Sequence, residues 1–278
     1  MKRIATVAKT NEILEKYNLH AKKKYGQNFI IDPNIISKIV SHANIDENTT
    51  VIEVGPGIGA LSQGLCEAAK NVIAFEIDED MIHVLNDEFK DTENFEVFHQ
   101  DFLNVHLKDV IKDLNRVKVV ANLPYYITSK LIEKMAIEGS DKIEELIVMV
   151  QKDVAIKMAV SDDLRDRLPL TVFLKSIADV SILFDVPSAV FDPKPHVDSS
   201  ILKIAFHKDS EIKNKEAFYK FLKIAFNQRR KTLSNNLKQV KFDQSLKELL
   251  VSMNLSESVR SESLTISQLY TIFTHCTF

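Results

Sequence analysis

The chain has 278 residues, of which 45% are hydrophobic and 27% are charged, and its formal net charge is −3 at pH 7. These values are ordinary for a soluble globular protein, and the length suits one sizeable domain plus a smaller one. No apolar run approaches the roughly 18 residues that span a bilayer, so the sequence argues against membrane insertion.

The N-terminal segment and the cysteines bear on compartment and chemistry. Residues 1–29 are basic but lack the continuous apolar core of a secretory signal, and Glu12 and Glu15 argue against a transit peptide. We therefore expect a cytoplasmic protein. Cys66 and Cys276 lie far apart, and the eight histidines are scattered along the chain. Because no group of them has the spacing of metal ligands, we predict no metal site.

Basic residues are concentrated in two segments. Residues 1–24 carry seven lysine and arginine residues against two acidic ones, and residues 220–241 carry seven with no acidic residue. The rest of the chain is therefore strongly acidic. Clustered basic residues are typical of contact with nucleic-acid phosphates, although solvated helix faces remain an alternative.

Helix-like and strand-like segments alternate from residue 33 to residue 151. The first helix is predicted to have Asp32 as its N-cap and Pro33 at its first position. The predicted helices are 33–43, 60–69, 79–89, 107–114 and 128–137, and the predicted strands are 49–55, 71–78, 94–101, 117–124 and 144–151. Strands of this apolar kind between helices predict a parallel sheet that is covered on both faces.

The pattern changes after residue 151. Residues 168–187 are interpreted as an antiparallel pair of strands, and 196–207 as one more strand. A charged stretch over 208–214 is interpreted as a linker to a helical segment with helices over 216–239, 244–253 and 265–273. We therefore predict two domains, 1–207 and 208–278.

A glycine-rich turn follows the first predicted strand of the alternating series. Gly55, Gly57 and Gly59 allow positive φ and a close approach of the backbone to a ligand. Glu76 ends the next strand, where an acidic side chain accepts hydrogen bonds from the hydroxyls of a ribose. Asp101 ends the third strand and is suited either to accept from an adenine amino group or to cap a helix.

The cofactor that fits this turn is a nucleoside, either a dinucleotide such as NAD or S-adenosylmethionine. Phosphate binding typically uses the spacing G-x-G-x-x-G, whereas this turn reads GPGIG and has Glu53 just before it. A carboxylate is unfavourable beside a pyrophosphate and favourable beside a sulfonium cation. We therefore predict S-adenosylmethionine.

The stretch ANLPYYIT ends the fourth strand of the series, and its turn Asn122-Leu123-Pro124-Tyr125 resembles that of methyltransferases that act on planar nitrogens conjugated to a ring or carbonyl. The resemblance implies an amine substrate. The amide oxygen of Asn122 and the carbonyl of Leu123 can accept hydrogen bonds from the N–H groups of a weakly nucleophilic exocyclic amine. Pro124 stiffens the turn, and Tyr125 offers a face on which an extruded base can stack. Catalysis then consists of positioning and electrostatics, without a covalent enzyme intermediate.

Eight stretches in the same order resemble the bacterial 16S rRNA adenine dimethyltransferases: KKKYGQNFIID, VIEVGPGIGALS, AFEID, HQDF, ANLPYYITS, MVQKDVA, FDPKPHVDSS and AFNQRRKTLSNNL. The resemblance implies a Rossmann-like S-adenosylmethionine-dependent methyltransferase sheet with a small C-terminal all-helical, rRNA-binding domain. It also implies N6,N6-dimethylation of two adjacent adenines in the 3′-terminal hairpin loop of 16S rRNA, within the 30S subunit or its precursor, late in assembly. We expect a monomer without a membrane partner.

The resemblance also implies roles for individual residues. The implied catalytic residues are Asn122, Leu123, Pro124 and Tyr125. The implied cofactor contacts are Asn28, Ile30, Gly55, Glu76, Asp101 and Asn122, with Gln27, Glu53 and Gly57 in support. The implied rRNA contacts are Lys22, Lys23, Lys24 and a helix around Arg229, Arg230 and Lys231.

The chain departs from the family pattern at Lys130, at Ser234 and over residues 161–168. These departures spare the cofactor positions and concern the RNA-facing surface. The alternatives are a 23S rRNA adenine methyltransferase of the macrolide-resistance type, a 30S assembly factor that acts mainly by binding, and a NAD-dependent oxidoreductase. Against the oxidoreductase, the sequence shows no identifiable acid/base constellation for hydride transfer.

Overall fold

The computed structural model describes residues 2–22, 25–159 and 167–277. The chain forms two compact units, Met1–Ile156 with Val180–Phe206 and Lys157–Asp179 with His207–Phe278. The boundary after Phe206 lies next to the one that we predict. The segment from Lys157 to Asp179, however, belongs to the C-terminal unit. A single division at residue 207 would place this segment in the first domain.

A seven-stranded sheet forms the centre of the first unit. The strands of the chain are β1 (Phe29–Ile30), β2 (Thr50–Val54), β3 (Asn71–Glu76), β4 (Phe95–His99), β5 (Val117–Asn122), β6 (Ile143–Gln151), β7 (Ala178–Val186), β8 (Phe191–Asp192), β9 (Ser199–Phe206), β10 (Lys241–Phe242) and β11 (Cys276–Thr277). The strand order of the large sheet is β4-β3-β2-β5-β6-β9-β7. β2 to β6 are parallel to one another, and β9 pairs antiparallel with β6.

Helices follow most of the strands, and their ends agree with local capping chemistry. In α2, Pro33 occupies the first turn and the Asp32 side chain accepts a hydrogen bond from the Asn34 N–H, as predicted. The helices are α1 (Val7–Lys16), α2 (Pro33–His42), α3 (Ala60–Cys66), α4 (Glu79–Glu88), α5 (Leu107–Ile111), α6 (Thr128–Gly139), α7 (Lys152–Ala159), α8 (Pro169–Ile177), α9 (Lys215–Ala225), α10 (Leu233–Asn236), α11 (Leu246–Ser252) and α12 (Ile266–Thr274).

The N-terminal segment packs onto the first unit. Ile4 and Ile13 are fully buried in the hydrophobic core. Arg3 forms an ion pair with Glu67 at 2.7 Å, and the ammonium group of Lys16 lies 2.7 Å from Asp87. The positive charges of this segment are therefore partly balanced by acids of the same unit.

The prediction of two strands over residues 168–187 is wrong in its first half. Residues Pro169–Ile177 form α8, and the strand β7 begins only at Ala178. Pro169 stands at the start of the helix, where its missing N–H costs no hydrogen bond. Six of the nine residues of α8 are buried, and a short, mostly apolar segment does not distinguish a buried helix from a strand.

The C-terminal unit is mostly helical around a cluster of aromatic rings. The ring centroids of Phe218 and Phe273 are 5.2 Å apart, and those of Phe173 on α8 and Tyr219 on α9 are 5.0 Å apart. The helix that we predict over 216–239 ends at Ala225. The unit also contains a short antiparallel ladder between β10 and β11. Among the described residues, none of the helices combines the length and hydropathy that a bilayer span requires.

Candidate active site

A cleft lies at the carboxyl ends of the parallel strands β2, β3, β4 and β5. Its walls include the glycine turn after β2, Glu76 at the end of β3, Asp101 after β4 and Asn122 at the end of β5, together with residues 25–30. Ligands of open α/β sheets bind at this edge, because the strand ends and the turns that follow them converge there. The structure therefore brings together the residues that the sequence singles out as cofactor contacts.

The glycine turn depends on backbone conformations that other residues adopt only with strain. Gly55, Gly57 and Gly59 have φ values of 70°, 58° and 88°. The Gly57 N–H donates a hydrogen bond to Oε2 of Glu76 at 3.1 Å. This amide is therefore occupied by a carboxylate of the protein, which leaves the turn poorly suited to hold a phosphate.

Glu76 is a buried acceptor at the base of the cleft. It is 5% exposed, and its Oε1 accepts from the N–H groups of Ile77 and Asp78, each at 2.9 Å. Burial raises the pKa of Glu76, although these backbone hydrogen bonds act in the opposite direction. The hydrogen bonds fix the carboxyl in position. Oε1 already accepts two of them, whereas Oε2 accepts only the one from Gly57 and keeps a lone pair with which to accept from a ribose hydroxyl.

Glu53 is buried more deeply and is only partly satisfied. It is 1% exposed, and its Oε2 has no hydrogen-bond partner among the described residues. Burial raises the pKa of this carboxyl to about 8, and the nearby charge of Glu76 acts in the same direction. A carboxyl with this pKa is mostly protonated at neutral pH in the free protein, and a cationic ligand in the cleft would favour its ionised form. The residues present therefore fit S-adenosylmethionine.

Asp101 has a local structural role. Its Oδ1 accepts from the Leu103 N–H at 2.9 Å, so it caps the short helical turn Phe102–Asn104. Asp101 also lines the cleft, and its carboxylate retains lone pairs for a second donor. The capping interpretation is thus confirmed, while the contact with an adenine amino group stays a prediction.

The charge of the cleft distinguishes between the two nucleoside cofactors. Three acidic residues, Glu53, Glu76 and Asp101, are among its walls, and the described residues that line it include no lysine or arginine. An anionic pyrophosphate would meet repulsion here without compensation, whereas a sulfonium cation with an α-amino group would be stabilised.

The turn after β5 is held by hydrogen bonds on both sides. The Leu123 N–H donates to the Met149 carbonyl of β6 at 3.2 Å, and the Thr128 hydroxyl donates to the Pro124 carbonyl at 3.0 Å. The Asn122 side-chain amide donates to the Asn28 carbonyl at 3.5 Å. With the NH₂ group turned toward Asn28, the Asn122 amide oxygen is available as an acceptor.

The two tyrosines of this turn lie in different environments. The hydroxyl of Tyr125 is 2.8 Å from the Ser199 hydroxyl at the start of β9, and burial raises the pKa of Tyr125. Tyr126 is 57% exposed and also lines the cleft. The hydrogen bond to Ser199 fixes the Tyr125 ring, which is what a stacking platform requires.

Residues 25–30 form the wall opposite the glycine turn. Phe29 and Ile30 form β1, which pairs antiparallel with β8. The Asn28 amide donates to the Gly26 carbonyl at 3.1 Å, and Gln27 donates to Oδ2 of Asp78 at 2.8 Å. The long-range pairing with β8 gives this segment a fixed place that the sequence pattern does not reveal.

The residues predicted to contact rRNA lie in different surroundings. Lys22 lies within the protein's own ion pairs, with its ammonium group 2.6 Å from Asp78 and 2.5 Å from Asp80. Lys23 and Lys24 lie outside the described residues, as do residues 161–166 of the departing segment.

Arg229, Arg230 and Lys231 do not lie on a helix. They are exposed in the turn between α9 and α10, because α9 ends at Ala225 with Phe226 as its C-cap. In the C-terminal unit, Arg229 and Arg230 share a surface hollow with Arg260 and two serines, Ser258 and Ser263.

Three residues of the cleft region are not found by sequence reasoning. Asp78 is almost completely buried and bonds to Lys22 and Gln27. Ser199 anchors Tyr125 from more than seventy positions away, and Tyr126 lines the opening of the cleft. Only Asp78 carries a local signal, since it follows Glu76 within EID. Among the described residues, no group of three or more histidine, cysteine, aspartate and glutamate side chains is arranged to hold a metal ion.

Comparison with known proteins connects this geometry with a family. Residues 18–277 match the family model described as ribosomal RNA adenine dimethylase. The ribosomal RNA small subunit methyltransferase A of Bacillus pumilus (strain SAFR-032) is 39% identical over 280 aligned positions, which cover 96% of this chain and 95% of the relative. The protein of the same name from Clostridioides difficile (strain 630) is also 39% identical, over 96% of this chain and 95% of its own length.

Solved structures give the same fold. The dimethyladenosine transferase of Plasmodium falciparum superposes with a TM-score of 0.74 at 26% identity, covering 90% of this chain and 99% of its own. The 23S rRNA methyltransferase ErmE superposes with a TM-score of 0.67 at 22% identity, covering 89% and 99%. The predicted Rossmann-like methyltransferase fold is thus confirmed. Because the family match covers nearly the whole chain, the protein is a methyltransferase that belongs to the ribosomal RNA adenine dimethylase family.

Proposed function

We propose that this enzyme dimethylates N6 of two adjacent adenines in the 3′-terminal hairpin loop of 16S rRNA. The substrate is the 30S subunit or its precursor in the cytoplasm, late in assembly, and the methyl donor is S-adenosylmethionine. The observation that supports the proposal best is an acid-lined cleft beside the Asn122–Tyr125 turn. The choice of the small-subunit rRNA as substrate is based on the names of the relatives described above.

The cofactor side of the cleft binds through acceptors. Glu76 accepts from the ribose, Asp101 accepts from an adenine amino group, and the buried carboxyl of Glu53 stabilises the positive charge of the cofactor. Asn28 and Ile30 contribute from the opposite wall, and Gly55 keeps the turn open because it carries no side chain. When bound, S-adenosylmethionine supplies an activated methyl group to the site.

The base side of the cleft orients a poor nucleophile. The Asn122 amide oxygen and the Leu123 carbonyl would accept hydrogen bonds from the exocyclic N–H groups, which increases electron density on nitrogen. Pro124 holds the turn and the Tyr125 ring supports the extruded base. Catalysis is therefore positioning and electrostatics, and the proton of the alkylated amine leaves to solvent.

The C-terminal unit supplies the contacts with rRNA phosphates in this proposal. Arg229, Arg230 and Arg260 line one surface hollow with hydroxyl groups beside them. Glu262 also lines this hollow and pairs with Arg229 at 3.8 Å, so the net positive charge comes from Arg230 and Arg260. Arginine side chains recognise phosphates through charge and paired hydrogen bonds. Lys231 is exposed next to them.

Methyl transfer to small subunits that lack the modification tests this function. The wild-type protein should methylate adenines of such 30S particles, and Asn122→Ala should reduce the rate by about two orders of magnitude, because one preorganised acceptor is lost. Asn48→Ala, an exposed position before β2, serves as the matched control and should retain full activity. Mass spectrometry of the rRNA should locate two adjacent dimethylated adenines near the 3′ end of 16S rRNA.

Two results would contradict the proposal. If the wild-type protein incorporates no methyl group, and Asn122→Ala behaves in the same way, the enzymatic assignment fails. If methylation is found only in 23S rRNA, the site assignment fails while the chemistry stands.

A further inference from the structure

Asp78 connects the N-terminal segment with the base of the cleft. Its side chain is 3% exposed. Oδ1 lies 2.6 Å from the Lys22 ammonium group, and Oδ2 accepts from the Gln27 side-chain amide at 2.8 Å. Its backbone N–H donates to Oε1 of Glu76 at 2.9 Å. One buried carboxylate therefore joins the residues before the cleft wall to the residue that we assign to the ribose.

Lys22 and Gln27 close this arrangement from the other side. The Lys22 backbone N–H donates to Oε1 of Gln27 at 2.8 Å, and its ammonium group also contacts Asp80 at 2.5 Å. Burial raises the pKa of Asp78, but its contacts with Lys22 and Gln27 outweigh burial and hold that pKa below its usual range. Lys22, Gln27 and Asp78 thus form a closed set of hydrogen bonds, which we name the clasp.

The clasp holds the segment that forms one wall of the cleft, through Lys22 shortly before it and Gln27 within it. Residues 25–30 begin three positions after Lys22 and include Asn28 and Ile30. The Asn28 carbonyl accepts from Asn122, which stands beside the reacting groups. A shift of this wall would therefore move Asn28 relative to both Glu76 and Asn122.

We propose that Lys22 and Asp78 are positioning residues that hold residues 25–30 against the cleft and thereby set the affinity for S-adenosylmethionine. This inference rests on the proposed function, since it takes the cleft to be the cofactor site. It assigns Lys22 to the clasp and not to rRNA. Charge-assisted hydrogen bonds to a buried carboxylate are strong enough for this task, because solvent screens them little.

Calorimetric titration of the full chain with S-adenosylmethionine tests the clasp. Lys22→Met keeps most of the side-chain length without the charge, and Asp78→Asn keeps the size and the capacity to cap α4. Each substitution should weaken cofactor binding by about tenfold. Because both remove the same interaction, the double variant should be only slightly weaker than either one.

Control variants separate positioning from general damage. Lys70→Met removes an exposed lysine just before β3, at the opposite end of that strand from Glu76, and should leave the affinity unchanged. Lys22→Arg restores the positive charge and should recover most of the affinity. Amide hydrogen exchange in the cofactor-free protein should be faster over residues 25–30 in Lys22→Met and unchanged in Lys70→Met.

Affinity for the 30S subunit distinguishes the clasp from an rRNA contact. If Lys22 acts in the clasp, the Lys22→Met variant should bind 30S subunits in the absence of S-adenosylmethionine with the same affinity as the wild type. An unchanged cofactor affinity in Lys22→Met and Asp78→Asn would overturn the inference. A loss of 30S affinity with normal cofactor binding would also overturn it, by making Lys22 an rRNA contact. Failure of the wild-type protein to bind S-adenosylmethionine would instead refute the proposed function.

Discussion

The carboxyl of Glu53 is an ionisable group in a position that water does not reach. Burial raises its pKa from an ordinary value of 4.5 to about 8. Because the folded state holds this proton more tightly than the unfolded state does, the contribution of Glu53 to stability is greatest below about pH 4.5. That contribution falls as the pH rises toward about 8 and is constant above it.

Glu53→Gln should remove this part of the pH dependence. The free energy of unfolding of the variant should decrease less between pH 5 and pH 8 than that of the wild type, because glutamine has no proton to lose. Urea denaturation at several pH values measures the difference. Glu47→Gln, at an exposed position, should follow the wild type. If the free energy of unfolding of Glu53→Gln changes with pH in parallel with that of the wild type, the pKa of Glu53 is not raised by folding and this prediction is wrong.

At the scale of secondary-structure elements, the turn from β2 to α3 depends on glycines that differ in their surroundings. Gly55 has a φ of 70°, and a Cβ added there would meet only Pro124, at 4.0 Å. Gly59 has a φ of 88°, and a Cβ there would lie 2.4 Å from the ring of Phe89. That ring packs against Phe95 with centroids 4.4 Å apart, so it has little room to move.

We therefore expect replacement by alanine to reduce the free energy of unfolding by different amounts at these two glycines. Gly55→Ala should destabilise the protein by about 1–2 kcal/mol, the cost of a left-handed conformation for alanine. Gly59→Ala should cost about 1–3 kcal/mol more, because the methyl group overlaps a packed ring. Chemical denaturation of the two variants checks the order. Equal losses would mean that the Phe89 ring yields without cost.

At the scale of the whole molecule, some basic residues are paired with acidic side chains of the protein, whereas others are exposed to solvent. Lys16 is paired with Asp87 at 2.7 Å and with Glu88 at 3.1 Å. Arg230 is exposed in the C-terminal unit, in the hollow that it shares with Arg260. Phosphate contacts release counterions, so each one adds to the slope of affinity against salt concentration.

Affinity for the 30S subunit should fall steeply as salt concentration rises. Arg230→Gln should weaken binding and reduce the log–log slope by about one, whereas Lys16→Gln should leave the slope unchanged. Filter binding or fluorescence anisotropy over a range of salt concentrations measures both slopes. A flat salt response of the wild type would contradict the proposed phosphate contacts, and equal effects of the two variants would contradict the assignment to the C-terminal unit.

The candidate site was largely predictable because its residues stand at the ends of parallel strands. Gly55 and Asp101 come shortly after a strand, Glu76 and Asn122 end one, and parallel strands present their carboxyl ends at one edge of a sheet. Residue type and position within the local pattern were therefore sufficient to bring these groups together. The family motifs are local in the same way.

The tertiary structure decided what depends on contacts between distant residues. The partner of Lys22 is Asp78, the partner of Tyr125 is Ser199, and α8 groups with the C-terminal unit. None of these leaves a periodic signal, because an ion pair or a packed apolar helix is specified by two surfaces that meet only after folding. The sequence by itself thus determined the fold class and the strand-end chemistry. Folding decided that Lys22 is held inside the protein's own network.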